Sequence, residues 1–172
     1  AQAPGDDLLQ VLLESLHDGV LVYDDQLRIL RANHAAIEIL GLGEDGRQLS
    51  GHSADQLRWD QVHEDGSPLQ LHERPVWQAL HQQERVHARI IGVDAKGPRG
   101  GQRRWLSVNA SPVMLTAPHA GRGVVASFAD ITDQVKALRA LRESEQLFRL
   151  FSDHTQDVVW IHAPARRAYL FV

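Results

Sequence analysis

The sequence predicts an α+β fold: a five-stranded antiparallel sheet with short helices on one face, an amphipathic helix before it and a long helix after it. Three observations lead there. Two short β-rich runs flank a turn near the start, three longer β-rich runs are joined by Gly- and Pro-rich loops further on, and helical spacing fills the interval. Strands that follow one another across such loops pair antiparallel, and the helices between them cover one face.

Each element has a local cause. In DDLLQVLLESLHDG, Leu8, Leu9, Leu12, Leu13 and Leu16 share one helical face, Asp6 and Asp7 sit where the helix dipole favours acids, and Gly19 follows the end. GVLVYDDQLRILRAN holds the runs Val20 to Tyr23 and Leu27 to Ala32 about the turn-forming pair Asp24-Asp25, which predicts a hairpin. Asn33 is placed to cap a short helix in HAAIEILGL, ended by Gly41 or Gly43. Residues 44–75 are polar and punctuated by Gly, Asp and Ser, the composition of short helical turns and loops. ERPVWQALHQQ restores helical spacing, with Val76, Trp77 and Leu80 near one side and Pro75 in the first turn. RVHARIIGV, RRWLSVNASPVML and RGVVASFADI are the closing strands, separated by DAKGPRGGQ and TAPHAGRG. The long helix follows in TDQVKALRALRESEQLFRLF, where Ile131, Leu138, Leu141 and Phe148 fall near a heptad seam interrupted by Gln134 and Glu145.

Composition removes whole classes of function. The 172 residues contain no Cys, which excludes disulfide frameworks, thiol nucleophiles, Cys-based zinc sites and iron–sulfur clusters. The net charge is -4 with basic residues scattered singly, so the sequence carries no electrostatic footprint for nucleic acid. No apolar run approaches the length of a membrane-spanning helix, and AQAPGDD lacks the layout of a signal peptide. The expected location is cytoplasmic, in a piece of a longer protein that can itself be membrane-anchored, since the chain begins with Ala. Ten His residues without tight spacing predict no metal site. GLGEDG, residues 41–46, matches a dinucleotide fingerprint in letters only, because a helix and not a strand precedes it.

The order of elements, the strand-turn-strand-Asn-helix-Gly layout of GVLVYDDQLRILRANHAAIEILGL, the run RRWLSVNASPV and the closing Asp130-Ile131-Thr132 resemble the PAS domain, the sensory module of bacterial signalling proteins. The resemblance covers residues 6–132. Residues 133–154 then form a connecting, coiled-coil-like helix. In residues 155–172, Asp157, a β run, a turn at Pro164 and a second β run repeat the opening plan, which reads as the start of a second PAS domain.

The resemblance implies a non-enzymatic sensor and dimerisation module. Input enters a cavity between sheet and helices, and output leaves through the helix after Asp130-Ile131-Thr132. The effector implied is a histidine kinase of a two-component system or a cyclic-di-GMP enzyme such as a diguanylate cyclase. A homodimer through the N-terminal helix and the C-terminal helix, by Leu138, Leu141 and Phe148, is the expected assembly. Candidate pocket residues are Trp59, Trp77, Trp105, Ser107 and Asn109, the last three alternating onto one strand face. The opposite assignment leaves Leu106, Val108 and Ala110 inside. A small organic ligand is the leading expectation. The alternatives are haem on His72 or His81, which the resemblance places on or beside the helix before the third strand, and a ligand-free dimerisation spacer. The light-sensing branch of the family requires a Cys for its flavin, which is missing here, leaving only non-covalent flavin open.

Overall fold

The computed structural model describes residues 11–41, 51, 59–94, 102–154, 160–163 and 168–171. Residues 11–15 are helical, and the predicted positions Leu8 and Leu9 lie outside the described residues. The chain continues through β1 (Gly19–Tyr23), β2 (Ile29–Ala32), α1 (His34–Ile39), β3 (Asp60–Val62), a single 3-10 turn (Leu71–Glu73), α2 (Pro75–Gln82), β4 (Val86–Asp94), β5 (Arg104–Leu115) and β6 (Gly121–Asp130). Next come α3 (Thr132–His154), β7 (Trp160–Ala163) and β8 (Ala168–Phe171).

Six strands form one sheet in the order β2-β1-β6-β5-β4-β3, every neighbouring pair antiparallel. The sixth strand is the addition to the predicted five. It is β3, a three-residue edge strand inside the stretch whose polar composition predicts only turns and loops. Its register places Gln61 opposite Val93 and Val62 opposite Gly92. So short a strand holds through the sheet edge it joins, and its sequence carries almost no β signal.

The described core lies between the inner face of this sheet and the short helices. Leu21, Tyr23, Ile29, Leu106, Val108, Val124, Ala126 and Phe128 come from the strands, and Ala36, Ala79 and Leu80 from the helices. Gly19 is required where β1 passes beneath Phe128, because a Cβ there would lie 2.3 Å from the Phe128 ring. Helix α1 ends at Gly41, whose φ of +67° is the left-handed conformation of a helix stop.

Asn33 is the polar hub of this unit. Its Oδ1 accepts from the N–H of Ala36 at 3.0 Å, the predicted cap, and from that of Val20 at 2.8 Å. Its Nδ2 donates to the carbonyls of Leu13 at 3.0 Å and Asp18 at 2.9 Å. One buried amide thus ties the N-terminal helical residues, β1 and α1 together with all its hydrogen-bonding capacity in use.

The residues divide into two compact units, Ala1–Thr132 and Asp133–Val172. In the second, α3 runs over six turns, and β7 pairs antiparallel with β8, with Trp160 opposite Phe171. Among the described residues no helix is long and apolar enough to cross a membrane.

Candidate functional site

A cavity of about 280 Å³ opens between the inner sheet face and the segment from the 3-10 turn through α2. Its sheet wall is Leu21 and Tyr23 of β1, Ile91 and Val93 of β4, Leu106 and Val108 of β5, and Ala126 and Phe128 of β6. Its other wall includes Trp59, Leu71, Val76 and Trp77. These walls are apolar, as a small-molecule pocket requires, and the volume falls just below the usual range of roughly 300–1,000 Å³.

Few polar groups enter this lining. Gln61 lines it from β3, and its Oε1 is buried without a hydrogen-bond partner among the described residues, a state that costs about 1–3 kcal/mol unless something donates to it. Arg74 reaches it from the residue that precedes α2. Tyr23 contributes a phenol that burial pushes well above its ordinary pKa, so it is neutral. Asp25 and Gln26 from the β1–β2 turn and His81 from the end of α2 complete the polar lining.

Of the residues expected in the pocket, Trp59 and Trp77 line the cavity. Trp105, Ser107 and Asn109 do not, and that expectation is corrected. Side chains alternate along β5, and Leu106 and Val108 occupy the cavity face, so the odd-numbered positions point away. Trp105 is nevertheless buried, because its indole packs over Gly92, where an added Cβ would lie 3.2 Å from Trp105 Cζ3. Asn109 has a structural task, its Oδ1 accepting from the N–H of Ala88 at 2.9 Å where the β4–β5 register slips.

His72 and His81 are both exposed and both contact Trp77. The His81 ring stacks on the indole with centroids 4.0 Å apart, and its Nδ1 lies 3.0 Å from the Trp77 carbonyl. The His72 ring meets the same indole edge-on at 6.4 Å and is not part of the lining. Sequence reasoning missed Gln61 and Arg74 altogether. Gln61 has no local signal, since its direction depends on a strand that composition hides. Arg74 was legible only as the residue before a helix-starting Pro.

The second polar constellation lies at the end of β6. Asp130 Oδ2 accepts from Arg104 Nη1 at 2.7 Å, and Oδ1 accepts from the Thr132 N–H at 3.0 Å and from the Thr132 hydroxyl. The Thr132 Oγ1 in turn accepts from the Trp105 N–H at 2.9 Å, and the Ile131 N–H donates to the Trp105 carbonyl at 2.8 Å. Asp130 therefore satisfies a donor at the helix start. The Thr132 hydroxyl staples the junction to β5. Desolvation is the largest influence on the Asp130 carboxyl and would raise its pKa, but the hydrogen bonds from Thr132 and Arg104 together hold it below the usual carboxylate range. Along α3, Leu138, Leu141 and Phe148 are all exposed, as are Leu147, Leu150 and Phe151.

A curved antiparallel sheet closed over an apolar cavity by short helices, with a charged joint where the last strand enters a long helix, is the architecture of an α+β sensory domain. A family profile described as PAS fold matches residues 7–131, and the chain belongs to the PAS family of sensory signalling domains. Among curated proteins none matches the sequence. Solved structures share the fold at low identity. The PAS domain of nitrogen regulation protein NR(II) from Vibrio parahaemolyticus is 19% identical, with a TM-score of 0.55 over 72% of this chain and 98% of that one. A PAS domain from a two-component sensor histidine kinase is 13% identical, with a TM-score of 0.51 over 73% and 96%. An RNA-binding light-oxygen-voltage receptor is 17% identical, with a TM-score of 0.57 over 85% of this chain and 38% of the receptor.

Proposed function

We propose that residues 6–132 sense a small organic ligand held in the cavity, and that the joint at Asp130, Ile131 and Thr132 passes occupancy to α3 and on to an effector of the histidine kinase or cyclic-di-GMP class. The observation that carries the reading is one pairing: Leu106 lines the cavity and is the direct cross-strand partner of Asp130. A ligand pressing on Leu106 therefore acts on the strand position next to Trp105, whose N–H and carbonyl both bind the joint. Such a shift biases a two-state packing of the helix without any chemistry in the domain.

The module acts as a cytoplasmic homodimer joined through its N-terminal and C-terminal helices. The exposed Leu138, Leu141 and Phe148 support the second contact, because isolated helices rarely leave so much apolar surface in water. Residues 155–172 are the start of a second PAS domain, a reading supported by the β7–β8 hairpin. The compact cavity and the surface position of His81 favour an organic ligand over haem.

Native mass spectrometry of the purified chain beside its absorbance spectrum tests the reading. A retained colourless small molecule on a dimer is the expected result. A Soret band would replace the ligand by haem, and an apo dimer that takes up no small molecule from a diverse library would leave a dimerisation spacer.

A further inference from the structure

The polar groups of the cavity are few enough to specify a ligand class. Arg74 lines the cavity, and its side chain carries a planar guanidinium, the group that matches a carboxylate through two parallel hydrogen bonds. Gln61 presents a buried acceptor with no donor among the described residues, and a buried acceptor is normally satisfied by protein, water or ligand. Trp59, Trp77 and Phe128 supply flat apolar walls suited to a ring or a short branched chain. The volume admits a compact molecule and excludes a long extended one.

We propose that the cavity binds a compact organic acid with an apolar, single-ring or short branched body, its carboxylate on Arg74 and a hydroxyl or amine hydrogen donated to Gln61 Oε1. This rests on the sensory reading above and names the chemistry of the same site. The protein as a whole is acidic, with a net charge of -4, and Asp25 also lines the cavity, so the preference for an anion belongs to the Arg74 end of the cavity alone. Size selects the body, Arg74 selects the sign of the charge, and Gln61 selects acids that carry a second polar hydrogen. A donor missing from the ligand leaves the buried Gln61 acceptor unsatisfied, which is why discrimination by that group is expected to be strong.

Calorimetric titration of the full chain with one ring in several charge states, and with isovalerate as a branched acid, tests this. The ring probes are benzoate, its three monohydroxy isomers, benzyl alcohol and benzamidine. Benzoate should bind and benzamidine should not. One hydroxy isomer should bind roughly tenfold tighter than benzoate, and Gln61→Leu should abolish that difference while leaving benzoate itself in place. Arg74→Met should weaken every acid more than about tenfold, and Arg74→Lys should restore part of the loss. If Arg74→Met fails to fold, the contrast between benzoate and benzamidine in the unaltered chain decides the sign of charge alone. Binding of benzyl alcohol or benzamidine in preference to benzoate overturns the acid assignment while the cavity sensor stands. If neither the ring acids nor the branched acid isovalerate binds at millimolar concentration, the acid assignment is overturned, and a retained molecule of another class in native mass spectrometry would separate that result from failure of the sensor reading.

Discussion

Two polar clusters fasten helices to the sheet, and they are built on opposite principles. At Asn33 a neutral amide that is 3% exposed makes four hydrogen bonds, joining the N-terminal helical residues and α1 to β1. At Asp130 a charged carboxylate, its side chain 25% exposed, and Arg104, 44% exposed, join the start of α3 to β5 with the help of Thr132. Opening the first strands the buried N–H groups of Val20 and Ala36 away from water, whereas water can take over part of the second. The difference separates a fixed joint from a movable one. Both clusters hold strands that line the cavity, but only at the second is a joint residue, Asp130, the direct cross-strand partner of a cavity residue, Leu106.

The comparison can be broken from the Asn33 side first, where the largest effect is expected. Asn33→Ala should destabilise the domain by about 2–4 kcal/mol, since it removes a cap and leaves the buried N–H groups of Val20 and Ala36 unpaired. Chemical denaturation of residues 1–132 checks it, and a loss no greater than that of a surface substitution would remove the distinction between the joints. Asp130→Ala should cost less, about 1–2 kcal/mol, because the ion pair it breaks is partly solvated. In the full-length protein the same substitution should lower or abolish the effector's response to ligand while circular dichroism shows the sheet intact.

Acid sharpens the contrast further. The folded-state pKa of Asp130 is depressed, so its contribution is fully present above the unfolded carboxylate value of about 3.9 and is lost as pH falls through the lower folded value. Stability measured below pH ~4 should therefore drop less steeply in Asp130→Asn than in the unaltered chain. Asn33 carries no such titration, so the difference in acid sensitivity belongs to the second joint alone.

How much of this was legible in the sequence depended on how local each signal was. Asn33 sits between a strand run and a helix, so its capping role is written in its neighbours. Pro75 marked the start of α2, and Gly-rich loops marked the strand order. The cavity was harder to read, because Trp105, Ser107, Asn109 and Leu106, Val108, Ala110 both make sense as an inner face. Only the register against β4 and β6 decides between them, and the outward Trp105 is sheltered by a glycine on the next strand. Gln61 and Arg74 are far from one another in local structure and converge only once β3 has joined the sheet edge. The Thr132 staple was half legible, since its residue type suits a helix start but its partner, the Trp105 N–H, lies 27 residues away.

The central claim is that cavity occupancy is felt at the Asp130 joint and not at the Asn33 joint. Amide hydrogen exchange of the unaltered chain against Val76→Phe tests it most directly, because this substitution fills the cavity from α2, which supplies no residue to either joint. The account predicts that exchange at Ile131 and Thr132 changes several-fold while exchange at Val20 and Ala36 stays the same. Equal changes at both joints, or none at Ile131 and Thr132, would contradict it.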